Sequence, residues 1–434
     1  MSRTAGPDRV VVINDDAVEQ GGAAAIALAS ARLLAERGIP VTFLSGDAAV
    51  EPELRERGVG AVSLGGRRLL ERPRWSAAMR GLHDPATNAA LADWIEANDT
   101  PRTVYHLHNW HKVLSPSVFA GLHRVESRLV ISAHDFFLAC PNGAYFHYPR
   151  QRECKLVPNG VRCIATACDR RHYTHKLWRV ARHTLRHRRL DLTRSAARVV
   201  AVHEAGLPLL ARGAIAADSI RVLRNPVTPW RTARVPVEHN SDVFFVGRLD
   251  GDKGAHLLAR AAQRVGTRLR LIGNGPLAAE ITRICPRAEL LGWRSRSEIG
   301  ELIATARIVV SPTVSRESFG LVALEALMSG VPVIVARNSP FAEEITRQGL
   351  GLACDPHDED ALAGAIETLA YDDLLVRRMS RRAIAEARRL APTPTQWCDG
   401  LLSLYAECLG DPTGGYGASL PDLPARAEPA GGGC

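Results

Sequence analysis

A strand, a loop, a helix and a second strand follow one another directly in residues 306–336. Residues 306–312, Ala-Arg-Ile-Val-Val-Ser-Pro, are rich in β-branched side chains and stop at a proline, which predicts a buried strand. Helix-forming residues fill 321–329, Gly330 suits the left-handed position after a helix, and Pro332 cannot continue it. The chain is apolar again at 331–336. This order predicts one βαβ unit of a parallel sheet, and therefore an α/β fold.

Two glutamates lie at different depths of this unit. Glu317 lies in the loop outside the carboxyl end of the first strand, where open α/β sheets bind ligands. The free amides of residues 318–321 begin the helix and attract phosphate. Glu325 lies roughly one to two turns into the helix, at about 1.5 Å rise per residue. Taken alone, the pair also fits an acid favoured by the helix dipole and an ordinary exposed glutamate.

A second segment, residues 243–254, predicts a phosphate-binding turn. Its sequence is Val-Phe-Phe-Val-Gly-Arg-Leu-Asp-Gly-Asp-Lys-Gly, a strand that enters a glycine-rich turn before a helix. Glycines allow close approach of the backbone, and Arg248 and Lys253 can neutralise a pyrophosphate. A solvated turn with two surface cations would give the same pattern.

The wider context of the two glutamates carries a family resemblance. Glu-x7-Glu inside Glu-Ser-Phe-Gly-Leu…Leu-Glu-Ala-Leu-x-Ser-Gly-x-Pro-Val-Ile resembles the signature of family 4 retaining glycosyltransferases. The resemblance covers about residues 8–405. It implies the GT-B fold, in which two Rossmann-like domains with parallel sheets face an interdomain cleft. It also implies no required cofactor, with a UDP- or GDP-sugar as the donor substrate.

The predicted domain boundaries follow the composition. Residues 228–240 contain prolines and charges but little apolar periodicity, which predicts a linker. An acceptor-side domain would then span 1–227 and a nucleotide-sugar-binding domain 241–409. The segment 410–434 is rich in Gly, Pro and Ala and is predicted to be disordered.

The resemblance assigns roles to individual residues. Arg248 and Lys253 would stabilise the departing diphosphate, Glu317 would contact the donor sugar, and His134 resembles the histidine that contacts the transferred sugar and phosphate. Glu325 would accept hydrogen bonds from the ribose hydroxyls. The other predicted donor-binding residues are Gly21, Gly22, Gly247, Asn274, Gly275, Trp293, Ser318, Phe319, Gly320 and Leu321.

Histidines cluster at two predicted strand ends of the N-terminal half. Residues 103–111 and 129–137 each run from a strand into histidines. His108 resembles a histidine often found near the acceptor, and with Asn109 and His111 it forms the predicted acceptor side. Capping or core histidines, or a metal site, are the alternatives.

Four of the nine cysteines fall within one segment. They are Cys140, Cys154, Cys163 and Cys168. A local cluster in a cytosolic chain suggests metal, yet no Cys-x2-Cys pair is present. Small buried hydrophobes or a redox-sensitive loop are favoured over zinc, so no metal is predicted.

The segment Arg170–Arg194 is strongly basic, with apolar residues at roughly helical spacing. Such a helix can lie on an anionic membrane, bind nucleic acid through phosphates, or be a plain surface helix. Anionic, membrane-resident polyprenyl-linked acceptors favour the membrane, and no specific nucleic acid is expected. The polar start of the chain is not a signal peptide, and no apolar run reaches about 18 residues. We therefore expect a cytoplasmic protein, peripheral on the inner face of the plasma membrane.

These observations predict a retaining glycosyltransferase. It would move a sugar from a nucleotide-diphosphate sugar to a lipid-linked saccharide or a polysaccharide or glycoconjugate precursor. One alternative is another GT-B enzyme, such as a nucleotide-sugar epimerase or a phosphorylase-like protein. The other is a basic membrane- or nucleic-acid-binding protein on a degenerate enzyme scaffold, against which the intact Arg248, Lys253, Glu317 and Glu325 count.

Overall fold

Two parallel β-sheets, one in each half of the chain, organise the structure. The computed structural model describes residues 6–19, 21–48 and 52–411. In chain order the strands are β1 (Arg9–Asn14), β2 (Val41–Asp47), β3 (Gly60–Gly66), β4 (Thr103–Leu107), β5 (Leu129–Ala133), β6 (Phe146–His147), β7 (Arg152–Glu153), β8 (Arg198–Ala201), β9 (Ile220–Val222), β10 (Asp242–Val246), β11 (Leu269–Ile272), β12 (Glu289–Gly292), β13 (Ala306–Ser311), β14 (Val333–Ala336) and β15 (Gly351–Cys354). The first sheet has the order β3-β2-β1-β4-β5-β8-β9 and the second β12-β11-β10-β13-β14-β15.

Helices connect the strands and cover both sheets. They are α1 (Gly22–Glu36), α2 (Pro52–Glu56), α3 (Arg74–Leu82), α4 (Pro85–Asn98), α5 (Val118–Leu122), α6 (Val161–Ile164), α7 (Tyr173–Arg189), α8 (Leu207–Arg212), α9 (Ala255–Val265), α10 (Ala278–Ile284), α11 (Arg296–Leu302), α12 (Leu321–Met328), α13 (Ala342–Arg347), α14 (Glu359–Tyr371), α15 (Asp373–Glu386) and α16 (Pro394–Leu409). All pairings within the two large sheets are parallel, and β6 and β7 form a separate antiparallel hairpin. The predicted architecture of two Rossmann-like domains is thereby confirmed.

The central strand β1 shows why both faces of the first sheet are covered. Its residues Val10 to Ile13 are fully buried. Because successive side chains of a strand point to opposite faces, Val11 and Ile13 join one core cluster and Val10 and Val12 join another. An unbroken valine and isoleucine run is therefore the expected sequence of a central parallel strand.

The last helix, α16, packs on the first domain although it follows the second in sequence. Trp397, Leu401 and Tyr405 lie in the same core cluster as Val10 and Val12. The predicted boundary, which gave all of 241–409 to the second domain, is therefore wrong for this helix. The apolar spacing that predicts an amphipathic helix does not specify which of two sheets it covers.

The predicted linker packs on a domain, and the predicted disordered tail can be compared with the structure only at its first two residues. The linker, residues 228–240, packs on the second domain: Val235 and Val237 are buried in that core, and the Val235 amide donates to Ser329 O at 3.1 Å. Of the predicted disordered tail, only Gly410 and Asp411 are described. Gly410 ends α16 in the left-handed conformation, and Asp411 pairs with Arg102. The rest, residues 412–434, lies outside the described residues.

Helix α7 forms as predicted, but its basic side chains do not all face outward. Lys176, Arg182 and Arg186 are buried. Arg182 Nε donates to Gly81 O at 2.8 Å, and Arg186 Nη2 donates to Leu138 O at 2.7 Å. Burial lowers the pKa of Arg182 to about 9 and that of Arg186 to about 10. The interpretation of Arg170–Arg194 as one basic face on a membrane is therefore wrong for these residues, because groups of the same domain bind them: backbone carbonyls bind the two arginines, and the Cys163 thiol accepts from Lys176.

No helix in the described part of the chain combines the length and apolar character needed to cross a bilayer.

Candidate functional site

The loops that follow the strands of both sheets meet between the domains. Ser318, after β13, donates its hydroxyl proton to His134 O, after β5, at 2.5 Å. Arg316 pairs with Glu153 of β7 at 2.6 Å. Since ligands of open parallel sheets bind outside the carboxyl ends of the strands, this interdomain edge is the candidate site.

Lys253 and Glu317 form the centre of the site. Lys253 Nζ lies 2.6 Å from Glu317 Oε1, and Thr313 Oγ1 donates to the same oxygen at 3.0 Å. The lysine follows β10 and the glutamate follows β13, two neighbouring strands of the second sheet. Both side chains are only partly buried. The predicted convergence of these two segments is therefore present in the structure.

Arg248 lies in a charge cluster that the sequence did not predict. Its guanidinium pairs with Asp250 and lies 3.5 Å from Asp252 Oδ2. Arg170, from the first domain, reaches the same two carboxylates, at 3.5 Å from Asp250 and 2.9 Å from Asp252. The Arg170 guanidinium also stacks 4.8 Å from the centre of the Tyr148 ring. Two arginines from different domains thus share two aspartates beside Lys253.

The glycines of the second domain bring backbone segments into close approach. Gly254 has φ +70°, and a Cβ there would lie 2.1 Å from Pro312 O. At Gly273 and Gly275 a Cβ would lie 2.0 Å from Gly247 O and 2.4 Å from Leu249 O, respectively. These contacts hold the turns after β10, β11 and β13 together, so only glycine fits there.

The start of α12 lies against the glycine turn of the first domain. Gly320 caps the helix with φ +96°, and a Cβ at Gly22 would lie 2.9 Å from Leu321 Cδ1. Gly21, beside it, has φ +126°. The predicted donor-binding residues Gly21, Gly22, Ser318, Gly320 and Leu321 therefore gather at one place. Phe319 differs, because its side chain is buried against Phe341 at 5.2 Å between ring centres.

Glu325 and the base-side residues lie farther from Lys253. Glu325 pairs with Arg296, and burial raises the pKa of its carboxyl above 4.5. Asn274 lies in the turn after β11, where its Oδ1 is 3.6 Å from a Cβ built at Gly292. Trp293, next to Gly292, is exposed. An exposed indole and a half-buried carboxylate are the side-chain types that suit a base and a ribose.

Three histidines form a chain behind the cleft. His108 Nδ1 lies 2.8 Å from His134 Nε2, and the centres of the His106 and His108 rings are 4.1 Å apart. Burial lowers the pKa of His106 to about 3 and that of His134 to about 4, and holds that of His108 well below 6.5. All three rings are therefore neutral at physiological pH. His134 and His108 then share one hydrogen bond, in which one ring nitrogen donates and the other accepts.

The predicted acceptor side is partly closed. His108 and Asn109 are 2% and 4% exposed, so they are not open to an acceptor. Their place near the acceptor stays a prediction, and the structure adds that any role they have there is not direct contact through an open surface. His111 is half-buried, and its Nδ1 lies 3.5 Å from Asp135 Oδ2. Burial raises the pKa of Asp135 to about 6.

A cavity of about 190 Å³ adjoins Glu317 between the domains. Ala205 and Leu209 of the first domain border it, and Arg316, Arg337, Asn338, Ser339 and Pro340 of the second complete its lining. Sequence analysis did not single these residues out. The segment 337–340 follows strand β14 directly, so the strand-end rule that found Glu317 could have found it too.

The four cysteines that the sequence groups in one segment, Cys140, Cys154, Cys163 and Cys168, are free thiols. Cys140, Cys163 and Cys168 are buried, and Lys176 Nζ donates to Cys163 Sγ at 3.2 Å. Among the residues that the structure describes, no group of three or more His, Cys, Asp or Glu side chains could hold a metal ion.

Comparison with known sequences covers mainly the second domain. Residues 228–388 match the family Glycosyl transferases group 1. Glycogen synthase of Mycobacterium tuberculosis (strain H37Rv) is 30% identical over 178 residues, which cover 38% of this chain and 43% of that protein. D-inositol 3-phosphate glycosyltransferase of Corynebacterium glutamicum is 35% identical over 192 residues, 40% of this chain and 45% of that protein. The chain thus spans less than half the length of these curated relatives.

Solved structures match both domains. Sucrose-phosphate synthase from Thermosynechococcus elongatus superposes with a TM-score of 0.68 at 17% identity, over 93% of this chain and 99% of that one. HepE of Anabaena, solved with UDP and glucose, gives 0.65 at 18% identity, over 93% and 99%. Similarity at this level shows the fold. The chain therefore has the GT-B fold of glycosyltransferases, and its residues 228–388 match the glycosyl transferases group 1 family.

Proposed function

We propose that the protein is a retaining glycosyltransferase of family 4 that uses a UDP- or GDP-sugar. The observation that carries the proposal is the contact of Lys253 with Glu317 at 2.6 Å, beside Arg248 and the start of α12. Cations, free helix-start amides and a carboxylate converge there at the edge between two Rossmann-like domains. This set suits a ligand with an anionic diphosphate and a hydroxyl-rich sugar.

The cations would act mainly on the leaving group. As the bond between the sugar C1 and the diphosphate breaks, negative charge grows on the phosphate oxygens. Lys253 and Arg248 are preorganised close to this position and would stabilise that charge. Glu317 holds Lys253 in place before the donor arrives and would then accept a hydrogen bond from the donor sugar.

Transfer with retention would use the same face of the sugar. The acceptor oxygen forms the new bond to C1 on the side from which the diphosphate leaves, and its proton passes to a departing phosphate oxygen. His134, neutral and held by His108, would orient the sugar and phosphate through a hydrogen bond. Glu325 would bind the ribose hydroxyls.

The acceptor side would belong to the first domain. We propose a lipid-linked saccharide or a polysaccharide or glycoconjugate precursor as the acceptor, met at the cytoplasmic face of the plasma membrane. The cavity beside Glu317 supports an approach from this domain, because Ala205 and Leu209 form its apolar border.

Nucleotide binding followed by transfer tests the proposal. A ligand that binds only the native state raises apparent stability, so a thermal-shift screen of UDP, GDP and their sugars identifies the donor. Lys253→Ala and Arg248→Ala should then lose at least about tenfold in kcat/KM, or about 1.4 kcal/mol, without unfolding. Arg264→Ala, a change of an exposed arginine on α9, is the control.

Product analysis separates this activity from the alternatives. A transferase releases free nucleoside diphosphate only when an acceptor is present. Interconversion of donor sugars without an acceptor would identify an epimerase instead. Wild-type turnover in both Lys253→Ala and Arg248→Ala with the identified donor would overturn the proposal.

A further inference from the structure

We propose that the first domain docks on an anionic lipid surface through one defined patch. The patch, which we call the docking face, consists of the 3-10 helix Leu69–Glu71, helix α3, residues 155–164 with helix α6, and the outer side of helix α7. The purpose of docking, which is the capture of a lipid-linked acceptor, rests on the proposed function. The binding of lipid is argued from this surface alone.

Exposed apolar side chains are concentrated on the docking face. Ten large hydrophobic residues are exposed in the described part of the chain, and seven of them lie here. These seven are Leu70, Trp75, Met79, Val157, Val161, Tyr173 and Leu177. Leu70 and Val161 are 82% and 84% exposed, more than any of the other eight. A concentration of exposed apolar side chains on one part of a protein surface indicates an interaction site, whereas single exposed apolar residues are ordinary.

Contacts between the helices make these side chains parts of one surface. Trp178 Nε1 of α7 donates to Ala78 O of α3 at 2.8 Å. Tyr173 at the start of α7 donates its hydroxyl to Ile164 O of α6 at 2.9 Å. Helix α7 therefore lies between α3 and α6 and is bonded to both.

The orientation of α7 explains why its outer side is apolar. Lys176, Arg182 and Arg186 point inward, as described above. Tyr173, Leu177 and Ala181, spaced four residues apart, remain exposed on the other side of the helix. The helix thus presents an apolar line to solvent, which is the reverse of an ordinary surface helix.

Two segments that contain the docking face are rich in basic residues. Some of these residues do not face outward: Lys176, Arg182 and Arg186 are buried, and Arg170 binds Asp250 and Asp252. Residues 67–82 and 155–190 contain 15 of the 55 Lys and Arg but only two of the 46 Asp and Glu, a formal charge of +13. The chain carries +9, so the remainder has a formal charge of −4. Five exposed arginines on the docking face or within two residues of it form no ion pair within the described residues: Arg67, Arg74, Arg162, Arg171 and Arg188.

An anionic bilayer matches both properties. Tryptophan, leucine, methionine and valine side chains enter the boundary between headgroups and acyl chains, while arginines bind the lipid phosphates. Both the cations and the buried apolar groups therefore contribute to the affinity for such a surface. Nucleic acid would use the cations but gives no role to exposed Leu70, Met79 and Val161.

Cosedimentation with vesicles tests the docking face on the full chain. Wild-type protein should bind vesicles that contain phosphatidylglycerol, and high salt should weaken binding, because the screening length falls from about 10 Å at 0.1 M to about 3 Å at 1 M. The triple variant Leu70→Ser/Trp75→Ser/Met79→Ser should bind at least about tenfold more weakly. Arg67→Glu/Arg74→Glu should lose a similar factor.

A matched control distinguishes binding through the docking face from nonspecific binding through any exposed apolar side chain. Tyr371→Ser/Leu374→Ser removes two side chains that are 67% and 78% exposed on the second domain, and it should bind as wild type does. Equal loss in this control, equal binding to neutral phosphatidylcholine vesicles, or no vesicle binding by wild type would overturn the proposal. Full displacement from vesicles by duplex DNA would assign the surface to nucleic acid.

Donor binding serves as the independent readout. The docking variants should keep the wild-type thermal shift with the donor nucleotide, since the proposed donor residues Arg248, Lys253, Glu317 and Glu325 lie in the second domain. If wild type binds vesicles but no nucleotide, the proposed function fails and the docking face stands. If wild type binds nucleotide but no vesicles, the docking face fails and the proposed function stands.

Discussion

The charge cluster around Arg248 determines how the site meets an anionic donor. Asp250 and Asp252 lie beside the cation that would bind the diphosphate, and they compete with the donor for it. Arg170 offsets this competition, because it binds the same two carboxylates from the other domain. A single arginine of the first domain therefore changes the local charge at the proposed donor site.

Arg170→Ala should weaken binding of the nucleoside diphosphate by about tenfold, or about 1.4 kcal/mol. The two aspartates would then hold Arg248 more tightly and repel the ligand. Calorimetry measures the affinity, and Arg171→Ala, the neighbouring exposed arginine, should leave it unchanged. Adding Asp252→Asn to Arg170→Ala should restore most of it. Unchanged affinity in Arg170→Ala would show that the ion pairs of Arg170 with Asp250 and Asp252 only hold the two domains together.

Glu325 should make nucleotide binding depend on pH. Burial raises the pKa of its carboxyl above 4.5, and only the ionised form accepts hydrogen bonds from both ribose hydroxyls. Affinity should therefore be present above this raised pKa and be lost as pH falls through it. The folded protein binds this proton more readily than the unfolded chain, so the same titration adds stability as pH falls. Glu325→Gln should remove both dependences, as measured by calorimetry and denaturation across pH.

For individual residues, the sequence predicts positions that depend only on the neighbouring strand and loop. Glu317 and Lys253 could be assigned to one site because each follows a strand of the same predicted sheet. Arg170 could not, because nothing in a basic segment indicates which distant carboxylates it will reach. The burial of His108 could not be predicted for a related reason: a strand-end position does not reveal whether the side chain is exposed to the cleft or covered by neighbouring residues.

The turn between β10 and α9 is the element that fixes Lys253. Gly254 packs directly against Pro312, which follows β13, and so locks the lysine loop to the strand that precedes Glu317. Sequence predicted this turn from its glycines and cations. The contact with Pro312 depends on the pairing of β10 with β13, which the local pattern does not contain.

Gly254→Ala should displace this turn and abolish nucleotide binding. A Cβ would overlap Pro312 O, and φ +70° adds strain, so stability should also fall by about 1–3 kcal/mol. Gly251→Ala is the matched control in the same turn, because a Cβ there meets no atom within 4 Å. Calorimetry and thermal unfolding measure the two effects. Wild-type affinity in Gly254→Ala would contradict the role of this contact.

At the scale of the whole molecule, α16 joins the two domains a second time. The chain crosses once near the linker and again before residue 394, so both crossings restrain how the domains move. The order of strands and helices predicted the two sheets, because each buried parallel strand has its own apolar run. The return of α16 was not predictable, since either sheet could bury its apolar face.

Trp397→Ala should lower the free energy of unfolding of the first domain by about 3–5 kcal/mol. The indole is buried in the cluster that contains Val10 and Val12, and its removal leaves a cavity under the sheet. Tyr371→Ala, at an exposed aromatic, should change stability by less than about 0.5 kcal/mol. Chemical denaturation measures both. Equal effects would mean that α16 adds little to this core.

The position of α16 also reverses the order in which the domains can mature on the ribosome. Every strand of the N-terminal sheet is synthesised before residue 223, yet one face of that sheet, which helix α1 covers in part, lacks the rest of its cover until residues 394–409 have emerged. The C-terminal sheet and helices α9 to α15 are complete before that point. The half that is translated second can therefore finish its core first, and the half that is translated first completes its core only after α16 has been synthesised.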